Sequence, residues 1–582
     1  MLFYDFEVFK EDWLVVVLDM KAKKEHVIIN SREELQALYE QNIKDIWVGF
    51  NSRHYDQYIF KGILAGFDPK KINDYIILKG NPGWKYSSLF REYPLNNYDV
   101  MMNIDRGLKV FEGFMGNSIK ESSVRFDIDR ALTEEEIAET VKYCRHDVEQ
   151  TVQVFLQRKA DFEAHLGLVK IASSQGQLDL SLIGKTKPQL SAIILEATKQ
   201  DYYDEFNIDF PDTLQITKYR EVMEWYLNPD NQRYVDSKGK KNQLNTMIAG
   251  VPHTFAWGGV HGALEKYSGT GYYLMADVAS LYPSLMIRYN LHSRSMKDPK
   301  KYVEIYESRL KYKHEGNPLQ LPLKLVLNST YGVMKDKNNA LYDPRQANRV
   351  CVYGQLLLLD LIEKLEGHCE LIQSNTDGIL IKLPDGTQET FDLIDDICYE
   401  WEQRTGLTLE FDEYRRVFQK DVNNYLILPH GNLYDEKGKP RWKSKGAYVK
   451  KLSNLDYDLP IVNKAMIEYM VHGTPVEHTV EQCNDLKEFQ LVSKISSKYT
   501  CILHGDSPVN ENCVRLFASL NPEDMGVKKV HAKTGKAAKL QNSPEHCFIF
   551  NDEVNGVRVP KKLDKQWYVN MAYRRLKDFG VG

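Results

Sequence analysis

Two aspartates at the ends of apolar runs constrain this chain more than any other feature of its sequence. The run Tyr272–Val278 reads as a strand that closes on Asp277, and Asn375-Thr376-Asp377-Gly378 reads as a tight turn between two more apolar runs, Glu370–Ser374 and Ile379–Lys382. An acid at a strand end can hold a metal ion, and an acid presented at a hairpin tip can join it there. The bend after Asp277, Val278-Ala279-Ser280-Leu281-Tyr282-Pro283-Ser284, leaves backbone N–H groups free to meet a triphosphate.

Between the two acids, Lys324, Asn328 and Tyr331 fall at i, i+4 and i+7 of a predicted helix, Leu321 to Val333, and share one stripe. That stripe suits a nucleotide, with lysine as a point charge for phosphate and tyrosine as a stacking surface. Taken alone it suits an amphipathic helix equally well, with Lys324 snorkelling and Tyr331 buried. The preceding predicted helix, Tyr302 to Lys313, carries Arg309, Lys311 and Lys313 as further cations for phosphate.

A second acidic set lies near the start of the chain. Asp5 and Glu7 are two apart in a strand-like run, which puts both carboxylates on one face of the pleat. Asn51-Ser52-Arg53-His54-Tyr55-Asp56 adds a carboxylate after the apolar run Ile46–Phe50, and Tyr143 and Asp147 are four apart on a predicted helix. Four carboxylates and a tyrosine are the components of a two-metal phosphodiester hydrolase. Oxygen ligands hold two Mg²⁺ or Mn²⁺ ions about 4 Å apart, and the tyrosine positions the attacking water. Any one of these acids alone is more often a solvated surface group; their order and spacing carry the reading. Asp99, in Tyr98-Asp99-Val100, reads as structural.

Charge excludes some classes and leaves others open. The chain of 582 residues has 76 Lys+Arg against 81 Asp+Glu, a formal net charge of -5, so it is not a uniformly basic nucleic-acid coat. The positive charge is concentrated: residues 281–350 hold 13 Lys+Arg and 6 Asp+Glu, and residues 525–582 hold 12 and 5. Two basic segments on an acidic body suggest polyanion handling at defined places, or equally a pair of solvated helical faces. Composition, 43% hydrophobic and 11% aromatic, supports large cores. No apolar run approaches the ~18 to 20 residues of a spanning helix. The opening residues lack a basic leader, so no signal peptide is expected. Eight cysteines without a CxxC pair argue against a zinc cluster or disulfide framework and point to a reducing, cytoplasmic setting.

Taken in order, these segments resemble known families. Asp5-Phe6-Glu7, Asn51 to Asp56 and Tyr143-Cys144-Arg145-His146-Asp147 are similar to the three motifs of the DEDDy 3′→5′ proofreading exonucleases. Asp277 to Ser284, Lys324 to Gly332 and Asn375 to Gly378 are similar to motifs A, B and C of family B DNA polymerases, the compact phage replicative enzymes most of all. Trp257-Gly258-Gly259 is similar to the aromatic-Gly-Gly linker between the two activities, and Lys443-Ser444-Lys445-Gly446 to a segment that contacts primer-template backbone.

The resemblance implies an α/β and α+β multidomain chain, with an RNase H-like exonuclease followed by a right-hand polymerase of palm, fingers and thumb. The implied segments are exonuclease 1–160, connector and palm entry 161–265, palm 266–300, fingers 301–347, palm 348–450, and thumb with C-terminal region 451–582. It implies template-directed addition of dNTPs to a primer 3′-OH, with Asp277 and Asp377 as catalytic metal ligands. Tyr282 would be the gate that excludes a 2′-OH, and Lys324, Asn328, Tyr331, Arg309 and Lys313 would bind nucleotide. Gly258, Gly259, Lys420, Tyr425, Lys443 and Lys445 would track DNA. Asp5, Glu7, Asp56 and Asp147 would ligate the exonuclease metals, with Tyr143 beside them. Two Mg²⁺ or Mn²⁺ ions are implied at each site. The implied partners are primer-template DNA, dNTPs, a single-stranded 3′ end and accessory replication proteins, with no membrane and a monomeric chain in the cytoplasm, a host's if phage-encoded.

The sequence also departs from the family pattern. Motif C usually reads Asp-Thr-Asp-Ser, and here Asn375 and Gly378 replace the first Asp and the Ser; Asn375 cannot be an anionic ligand. Asn423-Asn424-Tyr425 lacks the lysine of the usual Lys-x-Tyr element. An exonuclease whose polymerase half serves only as a DNA clamp therefore stays open. The short intervals from Asp277 to Lys324 and from Asn328 to Asp377 leave little room for the insertions of protein-primed relatives, so a nucleic-acid-primed enzyme is expected.

Overall fold

The burial pattern of the first strand explains why two acids can sit in it. In the computed structural model, which describes residues 1–102, 106–173 and 177–582, β1 (Leu2–Val8) is buried along almost its whole length. It lies between antiparallel β2 (Trp13–Asp19) and parallel β4 (Trp47–Gly49). With β3 (Lys24–Ile29) and β5 (Asn97–Asp99) these form a five-stranded sheet in the order β3-β2-β1-β4-β5. The two-residue period turns Leu2, Tyr4, Phe6 and Val8 into a core with Trp47, Ile59 and Phe60. It turns Phe3, Asp5 and Glu7 to the other face, where the helix Glu134–Gln157 packs and the Phe3 and Phe155 rings meet edge to face at 5.3 Å.

That helix is continuous through Tyr143 and Asp147, as their expected helical spacing requires, and Cys144 and Asp147 are buried. A capping box of Thr133 and Glu136 fixes the helix start.

The chain divides into two compact units. One comprises Met1–Thr186, Leu452–Ile461 and Val480–Tyr568; the other comprises Lys187–Lys451, Val462–Thr479 and Val569–Gly582. The segment 451–582, expected as one C-terminal region, is shared between them. Within the first unit a late sheet of Leu491–Lys494, Cys513–Ala518 and Cys547–Ile549 joins the early fold through Arg515. This wholly buried guanidinium donates to the carbonyls of Gly113 at 3.1 Å, Asn117 at 2.7 Å and Asp552 at 2.6 Å, and so holds the end of the helix Leu108–Met115.

The second unit is built on a nine-stranded sheet in the order β14-β13-β12-β9-β11-β10-β8-β7-β6. Its strands are β6 (Gln243–Ile248), β7 (Val251–Ala256), β8 (Gly259–Ala263), β9 (Tyr267–Val278), β10 (Glu370–Asn375), β11 (Gly378–Leu383), β12 (Leu409–Asp421), β13 (Asn424–Pro429) and β14 (Lys443–Lys445). Strands β6 to β8 fall in the stretch 161–265, expected as connector and palm entry. The turn between β6 and β7, Ala249-Gly250, has φ of 46° and 79°, a two-residue hairpin turn with both residues left-handed. An alanine in that place carries no turn signal, which is why the sheet's first hairpin is not legible. The helices Lys300–His314 and Gln320–Val333 follow the sequence expectation closely, and a long buried helix, Pro344–Leu365, comes after them.

The architecture is thus mixed α/β with several sheets in more than one unit. All eight cysteines are free thiols. Among the described residues no helix is long and apolar enough to cross a membrane.

Candidate functional site

In the second unit, sheet register decides what Asp277 can meet. β9 lies between β11 and β12, and Asp277 is paired with Gly378 on one side and Glu410 on the other. The hairpin tip is tied to β9 by a bond from the Val278 N–H to the Asp377 carbonyl at 2.7 Å. Gly378 is a packing requirement: a Cβ there would lie 2.0 Å from Asp277 Oδ1. The Asp277 carboxylate occupies the space a side chain would need at this position. Gly378→Ala is therefore expected to destabilise the folded chain by about 1–3 kcal/mol through its clash with Asp277, which a melting curve checks.

The tip and the helices behind it enclose a cavity of ≈ 290 Å³. Asp277, Asp377 and Glu410 reach it from the sheet; Arg309 and Lys313 come from one helix, Lys324 and Asn328 from the next. Lys311 is not among its walls. Burial pushes the Asp377 carboxyl up, Asp277 adds to the rise, and Lys445 and Lys443 oppose it. Lys443 Nζ sits 2.9 Å from Asp277 Oδ2. Three carboxylates about one cavity, two of them repelling each other, form an all-oxygen donor set suited to Mg²⁺ or Mn²⁺, for which Lys443 would compete at Asp277. Ser280, at the elbow into the helix Leu281–Arg288, has a left-handed φ of 48° and accepts from Arg309 at 3.1 Å.

Other expected residues take different positions. Tyr282 and Tyr331 stack with centroids 4.0 Å apart but do not line the cavity. Asn375 is paired with His261 across the β10–β8 register, so the residue that replaces an acid lies against a neighbour on β8. Gly258 is exposed, and Gly259 is buried at φ 148° close to Thr376. Lys420 is paired with Asp421 at 3.3 Å. Tyr425, expected to track DNA, is only 5% exposed and packs in the sheet's core with Tyr273, Met275 and Tyr414. Its period-2 position on β13 points it inward. Glu410 escaped sequence reading because nothing local reports that β12 is in register with Asp277.

The first unit holds the other set. Asp5 and Glu7 share a face of β1, and Asp56 opens the helix Asp56–Leu64, where it accepts from the Phe6 N–H at 3.2 Å. Asp99 accepts from the N–H groups of Asn51, Arg53 and Met101 at 2.9, 3.1 and 2.9 Å, so it shapes the loop that delivers Asp56, the structural role expected of it. Burial, then the neighbouring charges Asp56, Glu7 and Asp147, raises the Asp5 carboxyl well above the usual range. Glu7 and Asp147 are raised as well, chiefly by burial. Tyr143 is pushed up by burial and by Asp147.

Three residues here were missed. Lys109 bridges Asp147 and Glu112 and lies 4.7 Å from the Tyr143 ring centre; His146 Nε2 is 3.4 Å from Glu112. Lys109 is 7% exposed and Glu112 fully buried, a Lys-x-x-Glu pair on the inner face of a strongly apolar helix. That inward position was the available signal. One ammonium among this many buried carboxylates leaves a net negative pocket, which fits divalent cations bound through oxygen.

Asp56 titrates near pH 7 because burial outweighs its bond from the Phe6 N–H. Its folded pKa lies above the unfolded value of 3.8, so it favours folding fully below about pH 4, and that contribution is lost as pH rises through about 7. The metal-free chain is expected to lose on the order of 4 kcal/mol from this group over that interval. Mg²⁺ should restore stability mainly at the upper end. Melting curves with EDTA and with Mg²⁺ check this, and Asp56→Asn should flatten the decline.

No protein-family model matches the chain, and no curated protein matches it. Among solved structures it is similar to the family B DNA polymerase from the hyperthermophilic archaeon Pyrobaculum calidifontis, with 14% sequence identity and a TM-score of 0.40, over 99% of this chain and 77% of that one. At that level neither family membership nor activity passes from that protein to this chain.

Proposed function

We propose that the chain is a DNA-directed DNA polymerase that also removes nucleotides from the 3′ end of its product. The observation that carries the reading is the second unit's cavity, where three carboxylates from the sheet face three cations and an amide from two helices. Few tasks need both charges so close: carboxylates to hold divalent ions, and fixed cations to bind a triphosphate brought to them. When bound, the two metal ions lower the pKa of the primer 3′-OH and neutralise the triphosphate. Arg309, Lys313 and Lys324 hold the phosphates and stabilise charge developing on the leaving pyrophosphate. Asp277 and Asp377 hold the ions, and Glu410 completes the anionic wall. Tyr282, packed on Tyr331 beside the cavity, excludes a 2′-OH. Lys443 and Lys445, beside the acids, suit the primer backbone.

For the first unit we propose 3′→5′ exonuclease activity of the RNase H-like, DEDDy kind. Asp5, Glu7, Asp56 and Asp147 bind the ions, Tyr143 orients the attacking water, and Lys109 offers a cation to the scissile phosphate. The enzyme is read as phage-type and nucleic-acid-primed, and as depending on accessory proteins for long products.

Wild-type protein on a labelled primer-template with Mg²⁺ tests both parts. Extension with dNTPs and shortening from the 3′ end without them are expected. Shortening without extension would leave a nuclease with a DNA-clamping second unit. Neither reaction, in a folded protein, would sink the proposal.

A further inference from the structure

Glu112 is a fully buried carboxylate on the inner face of the helix Leu108–Met115, and the nuclease chemistry proposed above does not use it. A carboxylate out of water needs a partner for each oxygen. Its Oε1 has the Lys109 ammonium at 3.0 Å; its Oε2 accepts from the Lys120 N–H at 3.2 Å and lies 3.4 Å from His146 Nε2. These groups come from its own helix, from the loop that follows it and from the helix Glu134–Gln157. Arg515, donating to the carbonyls of Gly113 and Asn117, holds the same end of the helix. Glu112 is therefore fixed where it stands.

Lys109 is shared between two acids. Its ammonium also donates to Asp147 Oδ1, so it joins a carboxylate of the metal set to one outside that set. Ligand atoms of Glu112, His146 and Asp147 lie within 4.8 Å of one another, the spacing of a metal site, but the ammonium already bridges the two carboxylates. That space is filled by a cation the chain itself supplies. An ammonium and a divalent ion at the same carboxylate repel strongly where little water screens them. Lys109 must therefore loosen its hold on Asp147 when an ion arrives there. With Glu112 beside it, the ammonium keeps an anionic partner. Without that partner it would be left a buried, unpaired charge, and would hold Asp147 against the ion.

We propose that Glu112 is a positioning residue of the first unit's acidic site, whose charge draws Lys109 off Asp147 when a divalent ion binds. The inference rests on the reading of Asp147 as a metal ligand of an exonuclease. Glu112 acts only through Lys109.

The test compares Glu112→Gln, Lys109→Met and the double variant with a parent protein, all carrying Asp377→Ala so that divalent ions at the other site contribute little. Two quantities are read. One is the Mg²⁺ concentration that gives half the maximal rate of shortening of a single-stranded 3′ end. The other is the Mg²⁺ concentration at which the melting temperature starts to rise in the absence of DNA. Glu112→Gln keeps the shape and removes the charge, and should raise both about tenfold. Lys109→Met should lower both, whatever it does to the maximal rate. In the Lys109→Met background Glu112→Gln should have no further effect, because the group through which it acts is gone. A packing role alone would lower the melting temperature in EDTA and leave the Mg²⁺ dependence unmoved. A general loss of negative charge would raise the Mg²⁺ requirement equally with and without Lys109. Either result overturns the proposal. If Glu112→Gln does not fold, Lys109→Met decides, and an Mg²⁺ requirement that does not fall overturns it. A parent that binds Mg²⁺ but shortens no DNA overturns the exonuclease reading and leaves this proposal to the melting onsets; a working nuclease with unmoved Mg²⁺ requirements overturns this proposal alone.

Discussion

Asp377→Ala is expected to reduce nucleotide addition by about 10³-fold or more while 3′→5′ shortening continues at the wild-type rate. The hairpin should survive the change, because the tip is tied to β9 through the Asp377 carbonyl and not its side chain. The carboxylate is also held at a cost: burial and Asp277 both push its pKa up, so its removal relieves repulsion in the metal-free protein. The variant should therefore melt at or above the wild-type temperature. The cavity would retain Asp277 and Glu410, with Lys443 already 2.9 Å from Asp277, a charge balance that no longer calls for divalent ions. Single-turnover addition at saturating Mg²⁺, beside a melting curve, tests this. Addition within tenfold of wild type would remove Asp377 from the site.

Asp5→Ala is expected to do the reverse, cutting shortening by about 10³-fold or more and leaving addition intact. Asp5 feels burial, Asp56, Glu7 and Asp147 together, so it shares one electrostatic environment with the rest of that set. Its loss should not open the strand from the helix, since the Cys144 thiol donates to the Asp5 backbone carbonyl at 3.3 Å. Degradation of a single-stranded 3′ end by the variant provides the measurement. One substitution that abolished both reactions in a folded protein would contradict two independent sites.

The acids were legible because each is announced by its immediate neighbours. Asp5 and Glu7 interrupt an apolar run at the strand period, and Asp377 sits between two apolar runs in a turn. The stripe of Lys324 and Asn328 was legible for the same reason, helical spacing, and the cavity receives both. Residues whose meaning depends on a distant partner were not. Glu410 matters only because β12 is in register with β9 at Asp277. Lys109 and Glu112 matter because the helix that carries them turns inward toward Asp147. Tyr425 was expected to track DNA and is core, since its face of β13 packs with Tyr273, Met275 and Tyr414 of neighbouring strands.

By itself, then, the sequence determined the chemistry on offer: six carboxylates in two sets, cations and tyrosines at helical spacing, and the strands and turns that bear them. Local periodicity and turn propensity are enough for that, because they act over a few residues. Only the tertiary structure decided which groups meet. It set Asp277 over Gly378 and beside Glu410, put Lys443 on Asp277, paired Asn375 with His261, and stacked Tyr282 on Tyr331. Strand register and helix packing are settled by burial summed over the whole core, and that sum has no signature in any short stretch of chain.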